Sequence, residues 1–261
     1  MQITVFASGS TGNCALVSGG GAALLIDAGI SLRRIAAGLT GCALRPDALG
    51  GVLVTHEHSD HIAGLAQLSK RYGVPIYTTR TIASRLRGLL PETDGLLREI
   101  VPGDGFELAG LSVTAFRTPH DSADSVGYRI QNGAVLSFAT DTGCITDELM
   151  DGLLGADTAV IEANHDEEML RYGAYPVYLK RRILSDTGHL SNADCGVLAR
   201  SLADSGTGRI VLGHLSRENN RPDIARRTVA AALDGTHAQL YIAPELGALT
   251  VPIEERTPCF R

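Results

Sequence analysis

Between Thr55 and Ile62 the chain reads His56-Glu57-His58-Ser59-Asp60-His61, which gathers three imidazoles and two carboxylates into six positions. Neutral imidazole and carboxylate are the donors that zinc, manganese and iron accept. The apolar stretch 52–55 just before the block reads as a buried strand, and a helix is predicted to begin near His61. Alternation along a strand end sends His56 and His58 to one side and turns Glu57 away. Asp60 and His61 then swing with the chain into the helix start. One His/His group beside one Asp/His group suits two adjacent cations. A lone histidine is more often a satisfied surface or core residue, but four ligand groups at this spacing after an apolar strand read as a metal site.

Two cations need more ligands than one segment carries, and those ligands must also stand at strand ends. The chain offers His120 in Phe116-Arg117-Thr118-Pro119-His120-Asp121, Asp141 in Ser137-Phe138-Ala139-Thr140-Asp141-Thr142-Gly143, and His214 in Ile210-Val211-Leu212-Gly213-His214-Leu215-Ser216. Each alone is as easily a turn or a cap. Together they complete two sets of three ligands with one shared carboxylate.

The elements that must hold these groups follow from the pattern. Short apolar runs at 3–7, 15–18, 23–27, 52–55, 113–117, 126–130, 134–139, 159–163, 209–212 and 239–243 have strand length and composition. Helical spacing occupies 31–39, 61–72, 192–202 and 222–233, with Ser31 and Ser191 as caps and Pro222 in a first turn. Two similar mixed halves without a linker predict one layered α/β domain over 1–261, with sheets packed together and helices outside. At 261 residues, 44% hydrophobic and 20% charged, disorder is excluded and the core needs no staple. The five cysteines, Cys14, Cys42, Cys144, Cys195 and Cys259, form no C-x-x-C pair and read as small buried hydrophobes in a reducing compartment. No apolar run reaches the roughly 20 residues of a membrane helix, and the first residues lack signal-peptide features, so a cytoplasmic protein without a membrane partner is expected. A net charge of −6 excludes holding nucleic acid by bulk charge, though not at a local site.

With Leu25-Ile26-Asp27-Ala28-Gly29, the histidine block, His120, Asp141 and His214 in this order, the chain resembles the metallo-β-lactamase fold superfamily. The resemblance implies an αβ/βα four-layer sandwich, two mixed β-sheets flanked by helices, with a dinuclear centre at one edge. It implies that His56, His58 and His120 hold one divalent metal ion (Zn, Mn or Fe), that Asp60, His61 and His214 hold a second, and that Asp141 bridges them. Asp27 would orient the ligands by hydrogen bonds; read by itself it is also a turn residue closing a strand.

Local residues separate the branches. No cysteine is placed to replace Asp141 as in the commonest class B β-lactamases, and the segment around His120 lacks the glycine frame of glyoxalase II-like thioesterases. His58 stands where flavodiiron proteins need an acid, and 261 residues leave no room for a β-CASP insertion. Ile161-Glu162-Ala163-Asn164-His165-Asp166, Ser185-Asp186-Thr187-Gly188-His189-Leu190-Ser191 and Gly213-His214-Leu215-Ser216-Arg217-Glu218-Asn219-Asn220 are similar to runs in tRNase Z-like phosphodiesterases. Together with Ala7-Ser8-Gly9-Ser10-Thr11-Gly12-Asn13-Cys14 they resemble the YycJ/WalJ type of bacterial nuclease, which implies a 5′-to-3′ exonuclease acting on DNA ends.

The residues themselves argue only for metal-assisted hydrolysis, with a hydroxide held between two cations as nucleophile and Asp60 orienting it or taking its proton. His189 resembles the histidine that protonates the leaving oxygen; by itself it is also a cap-region histidine. Expected substrate contacts are Ser8, Ser10 and Asn13 of the opening loop, Asn164 and His165, Ser191, and Arg217. A tight hairpin or a helix-start cluster accounts for several of these almost as well. Tyr172, Tyr175 and Tyr178 beside Lys180-Arg181-Arg182 either stack bases or form a solvated helix face with tyrosine partly in the core. A small-molecule hydrolase, such as a lactonase or cyclic-nucleotide phosphodiesterase, and a non-catalytic metal-binding protein stay open beside the nuclease. No oligomeric state is implied.

Overall fold

Strands whose side chains are apolar in both directions must be covered on both faces, and that requirement organises the molecule. In the strand Ala22–Ile26, Ala22, Leu24 and Ile26 point into the space between two sheets, while Ala23 and Leu25 point outward to helices. The computed structural model describes residues 1–254, so Cys259 lies outside the described residues.

One seven-stranded sheet runs β14 (Leu249–Pro252), β1 (Gln2–Ala7), β2 (Cys14–Gly19), β3 (Ala22–Ile26), β4 (Gly51–Leu53), β5 (Ile76–Thr79) and β6 (Leu97–Ile100). The other runs β13 (Gln239–Ile242), β12 (Arg209–Gly213), β11 (Thr158–Glu162), β10 (Ala134–Ala139), β9 (Val126–Asn132), β8 (Leu111–Arg117) and β7 (Gly105–Leu108). Each sheet is half antiparallel and half parallel: β3 to β6 are parallel in the first, β10 to β13 in the second. Between the sheets lies a core built from Leu24, Ile26, Leu53, Val113, Ile130 and Val160 with their neighbours. Buried at its centre, the Tyr128 hydroxyl donates to Val54 O at 2.7 Å and so ties β9 to the end of β4.

Helices α1 (Leu32–Gly41), α3 (Leu65–Tyr72) and α4 (Arg80–Leu89) cover the outer face of the first sheet through Ile35, Leu65 and Ile82. On the second sheet, α5 (Asp147–Leu153), α8 (Asn192–Asp204) and α9 (Pro222–Ala232) do the same through Leu149, Leu198 and Val229. These are the four layers expected. Three short helices, α2 (Ser59–Ile62), α6 (Glu167–Tyr172) and α7 (Val177–Ile183), occupy the connections.

The helix expected over 61–72 is two helices, α2 and α3, separated at Gly64. Gly64 N donates to Ala28 O, and a Cβ there would lie 2.1 Å from Ile30 O, so chain and strand connection meet backbone to backbone. Strands β5, β6, β7 and β14 were not expected; Ile-Tyr-Thr-Thr and Leu-Arg-Glu-Ile are too polar to stand out. Cys14 and Cys195 are buried, whereas Cys42 and Cys144 are only half-buried, a partial departure from the expectation. Among the described residues no helix is long and apolar enough to cross a membrane.

Candidate metal centre

The parallel strands of both sheets end at one edge of the sandwich, and the chain turns there with the chemistry-bearing side chains. Asp27 follows β3, His56 and His58 follow β4, Asp60 and His61 open α2, His120 follows β8, Asp141 follows β10 and His214 follows β12. Asp27, Asp141 and His214 adopt left-handed φ values of 57°, 59° and 53°. An L-residue there is strained by about 1–3 kcal/mol, so the surroundings must hold it. They do. Thr55 N donates to Asp27 Oδ1 at 2.9 Å, Thr142 N to Glu162 Oε2 at 2.8 Å, and His214 N to Ser8 Oγ at 2.8 Å.

Two triplets of ligand atoms converge. His58 Nδ1 lies 3.1 Å from His56 Nε2 and 3.3 Å from His120 Nε2. Asp60 Oδ2 lies 3.5 Å from His61 Nε2 and 3.6 Å from His214 Nε2. Asp141 reaches both groups, with Oδ2 3.4 Å from His61 Nε2 and Oδ1 3.8 Å from His120 Nε2. In four of the rings the far nitrogen is engaged. His56 Nδ1 donates to Thr55 Oγ1 at 3.0 Å and His61 Nδ1 to Asp27 Oδ2 at 2.7 Å. His120 Nδ1 donates to Gly188 O at 3.1 Å, and His214 Nδ1 to Glu162 Oε1 at 2.8 Å. Hydrogen bonds of this kind set the tautomer and aim the free nitrogen of a metal-binding imidazole.

Whether these residues fit a cation is tested by what they leave unsatisfied. Asp141 Oδ2 and His214 Nε2 are buried with no hydrogen-bond partner. Such orphaned groups are costly and rare, and a divalent cation among imidazole and carboxylate donors satisfies both at once. The set fits.

Charge divides the two triplets. Burial pushes His56 well below its ordinary range, and the neighbouring imidazoles of His61, His120 and His58 push the same way. Burial also lowers His120. At His61 burial is outweighed by the Asp141 and Asp27 carboxylates, which raise the ring to about 10. His214 is likewise raised against burial, by Asp141, Asp60 and Glu162. Burial opposes but does not prevent a low pKa at Asp60 and Asp141, held down by His214 and His61. His56 and His120 are therefore held neutral and ready for a metal, while His61 and His214 carry protons a metal must displace.

Glu162 was missed in the sequence. Fully buried at the end of β11, it accepts from His189 Nδ1 and His214 Nδ1, both at 2.8 Å, and from the Thr142 and Leu190 amides. The one available signal was an acid closing an apolar strand. Also unassigned was Asp121, which accepts from Arg182 Nε and lies 3.4 Å from His120 Nε2.

A cleft of about 230 Å³ opens over the triplets, with His189 on its wall. Ser10 and Asn164 line it. Other expected substrate contacts are elsewhere. Ser8 accepts the His214 amide and braces the centre from behind, whereas the Asn13 side chain reaches two of the converging ligand atoms themselves, Asp60 Oδ2 at 3.2 Å and His61 Nε2 at 3.0 Å. His165 is 1% exposed and does not line the cleft; its backbone is bridged to Ser191 at the start of α8. Ser191 is spent as the cap of α8, accepting from Asp194 N at 3.1 Å. Arg217 pairs with Glu245 at 3.3 Å and faces a separate cavity beside the cleft.

This fold and this constellation define a class: residues 23–215 match the model of the beta-lactamase superfamily domain, and the chain belongs to that superfamily. Within it, the chain is similar to the exodeoxyribonuclease YycJ of Bacillus anthracis, 38% identical over 238 residues covering 90% of this chain and 89% of that one. It is also similar to the exodeoxyribonuclease WalJ of Streptococcus pneumoniae, 36% identical over 237 residues covering 89% and 88%. Among solved structures, Zn(2+)-bound PqqB from Methylobacterium extorquens shares the fold with a TM-score of 0.72 and 23% identity, over 97% of this chain and 100% of that one.

Proposed function

We propose that this protein is a dinuclear-metal phosphodiesterase that shortens DNA from its 5′ ends. The observation that carries the reading is the pair of ligand triplets about Asp141, with His189 beside them on the Glu162 carboxylate that it shares with His214. The two exodeoxyribonuclease relatives supply the substrate class. His56, His58 and His120 would hold one divalent cation and Asp60, His61 and His214 the other, with Asp141 shared; zinc, manganese and iron all suit these donors. Bound there, two cations offset charge on the phosphoryl oxygens and ionise a water near neutral pH.

The chain's own residues do the rest. Asp60, whose side chain is open to the cleft on one edge, orients the attacking water and takes its proton. His189 protonates the leaving oxygen. Glu162 accepts its Nδ1 proton, which fixes the ring's tautomer and stabilises the imidazolium before transfer. Ser10, exposed on the cleft wall, binds a phosphate oxygen. On this reading residues 1–261 act as one domain in the reducing cytoplasm, in keeping with the free thiols of Cys14, Cys42, Cys144 and Cys195.

The test is a panel of 5′- and 3′-labelled DNA, labelled RNA and a chromogenic phosphodiester, each with manganese or zinc. Early release of the 5′ label from DNA, abolished by chelation, is expected. Cleavage of the small ester alone, or inertness with metal bound, overturns the reading.

A further inference from the structure

We propose that the α6–α7 arm is a stacking platform for single-stranded nucleic acid, leading the strand's last phosphodiester into the cleft. The proposal rests on the phosphodiesterase reading and adds the strand form of the substrate. Large apolar side chains left in water are otherwise scattered singly over the described residues, yet Tyr172, Val177, Tyr178 and Leu184 gather in one arm. Of the three tyrosines left open between stacking and partial burial, Tyr172 is 80% exposed and Tyr178 74% exposed, while Tyr175 is half-buried. Bare aromatic faces of this kind mark a binding surface.

The arm's position names the partner. Tyr175, Leu179, Arg182 and Ile183 line the metal cleft, so α7 is the wall between that cleft and the exposed tyrosines. Residues 171–183 hold no acid and four cations, Arg171, Lys180, Arg181 and Arg182, on a chain of net charge −6. Lys180 Nζ donates to Arg171 O at 2.8 Å and clamps α6 to α7, and Arg182 is paired with Asp121. Arg171 and Arg181 are exposed and carry no ion pair among the described residues. Glu167 and Glu168 open α6, one turn before Arg171 and Tyr172. Exposed aromatics interleaved with free guanidinium groups hold unpaired bases by their π-faces and the backbone by charge. A duplex offers neither face, because its bases already stack on one another.

The experiment uses the full chain loaded with manganese, a phosphorothioate single strand as the binding probe, and the blunt duplex of the same sequence. The double variant Tyr172→Ala/Tyr178→Ala is expected to lose at least about tenfold in single-strand affinity, since stacking on each ring is worth about that much. Duplex affinity and turnover of a chromogenic phosphodiester, which fits within the cleft, stay within about twofold. Tyr178→Trp restores tight binding in the Tyr172→Ala background, as a merely structural role would not. Arg181→Ala lowers the salt slope of single-strand binding by about one charge. Single-strand affinity unchanged in the double variant overturns the platform, and leaves the phosphodiesterase reading standing if the wild type still cuts labelled DNA. Loss of self-association in that variant, with single-strand affinity intact, assigns the patch to a second copy of the chain and also overturns it. A wild type that turns over the small ester but neither binds nor cuts oligonucleotides removes the nucleic-acid reading and the platform together.

Discussion

Glu162 joins His214, a proposed metal ligand, to His189, the proposed proton donor, through one oxygen, Oε1, at 2.8 Å from each ring. Replacing it by glutamine keeps the shape and removes the charge that both imidazoles lean on. Glu162→Gln is expected to weaken the second cation by about 10–100-fold, as loss of an outer hydrogen-bond partner does, and to lower kcat about 100-fold even at saturating metal. His189→Ala separates the two effects: both metals are retained and turnover falls about 10²–10⁴-fold. Metal titration and single-turnover cleavage read them independently. The charge division between triplets gives a pH signature. His61 is raised to about 10 and His214 is also raised, so below that range the second cation must expel protons and its affinity climbs as pH rises from 6 to 9. Two imidazoles of the first triplet, His56 and His120, are already lowered by burial, so the first cation shows less of this dependence over the same span. Calorimetry in buffers of different ionisation enthalpy counts the protons; equal release at both steps contradicts the division. At this scale the convergence of candidate donors was legible because four of them crowd into six residues. Glu162 was not, because its partners lie 27 and 52 positions away and a single acid at a strand end carries no pattern.

Among the elements, the connection after β3 matters most for the site. Gly29 N donates to Asn13 O and the Asp60 carbonyl accepts from Asn13 N, so three segments cross there backbone to backbone. A Cβ on Gly29 would fall 1.6 Å from Asp60 O, a clash no rotamer relieves. Gly29→Ala is expected to displace the start of α2, cost of the order of 3 kcal/mol, and lower second-cation occupancy. Gly41→Ala, at a helix end where a Cβ meets nothing within 4 Å, is the neutral control. Denaturant midpoints in chelator compare the two. Strands β1 to β4 and β10 to β12 were legible as apolar runs because both their faces are covered, while β8, β9 and β13, covered less completely, were legible from their Val, Ile, Leu and aromatic content. The edge strands β6, β7 and β14 are half-exposed and read like loops, and the interior β5 is short and rich in threonine. Helix α4 carries an apolar face, Ile82, Ala83 and Leu86, set among polar residues, whereas α5, α6 and α7 span only seven, six and seven residues and show too little of a stripe to stand out.

At the scale of the whole molecule, both halves of each sheet pack into the shared core, and the ends of the parallel strands together with the end of β8 carry the candidate site residues to one edge. That arrangement lets residues as distant as Asp27 and His214 meet, and Tyr128 locks the two sheets beside the place where they do. The layered α/β class could be read from the alternation of runs; the pairing of sheet edges could not, because it depends on contacts between the two ends of the chain, such as β14 with β1. The central claim is a geometric one, that two cations are gripped at this edge, and anomalous diffraction from crystals grown with manganese tests it most directly. Two peaks are expected, one enclosed by His56, His58 and His120, the other by Asp60, His61 and His214, with Asp141 touching both. A single peak outside these triplets, or none from protein that cleaves DNA, would contradict it.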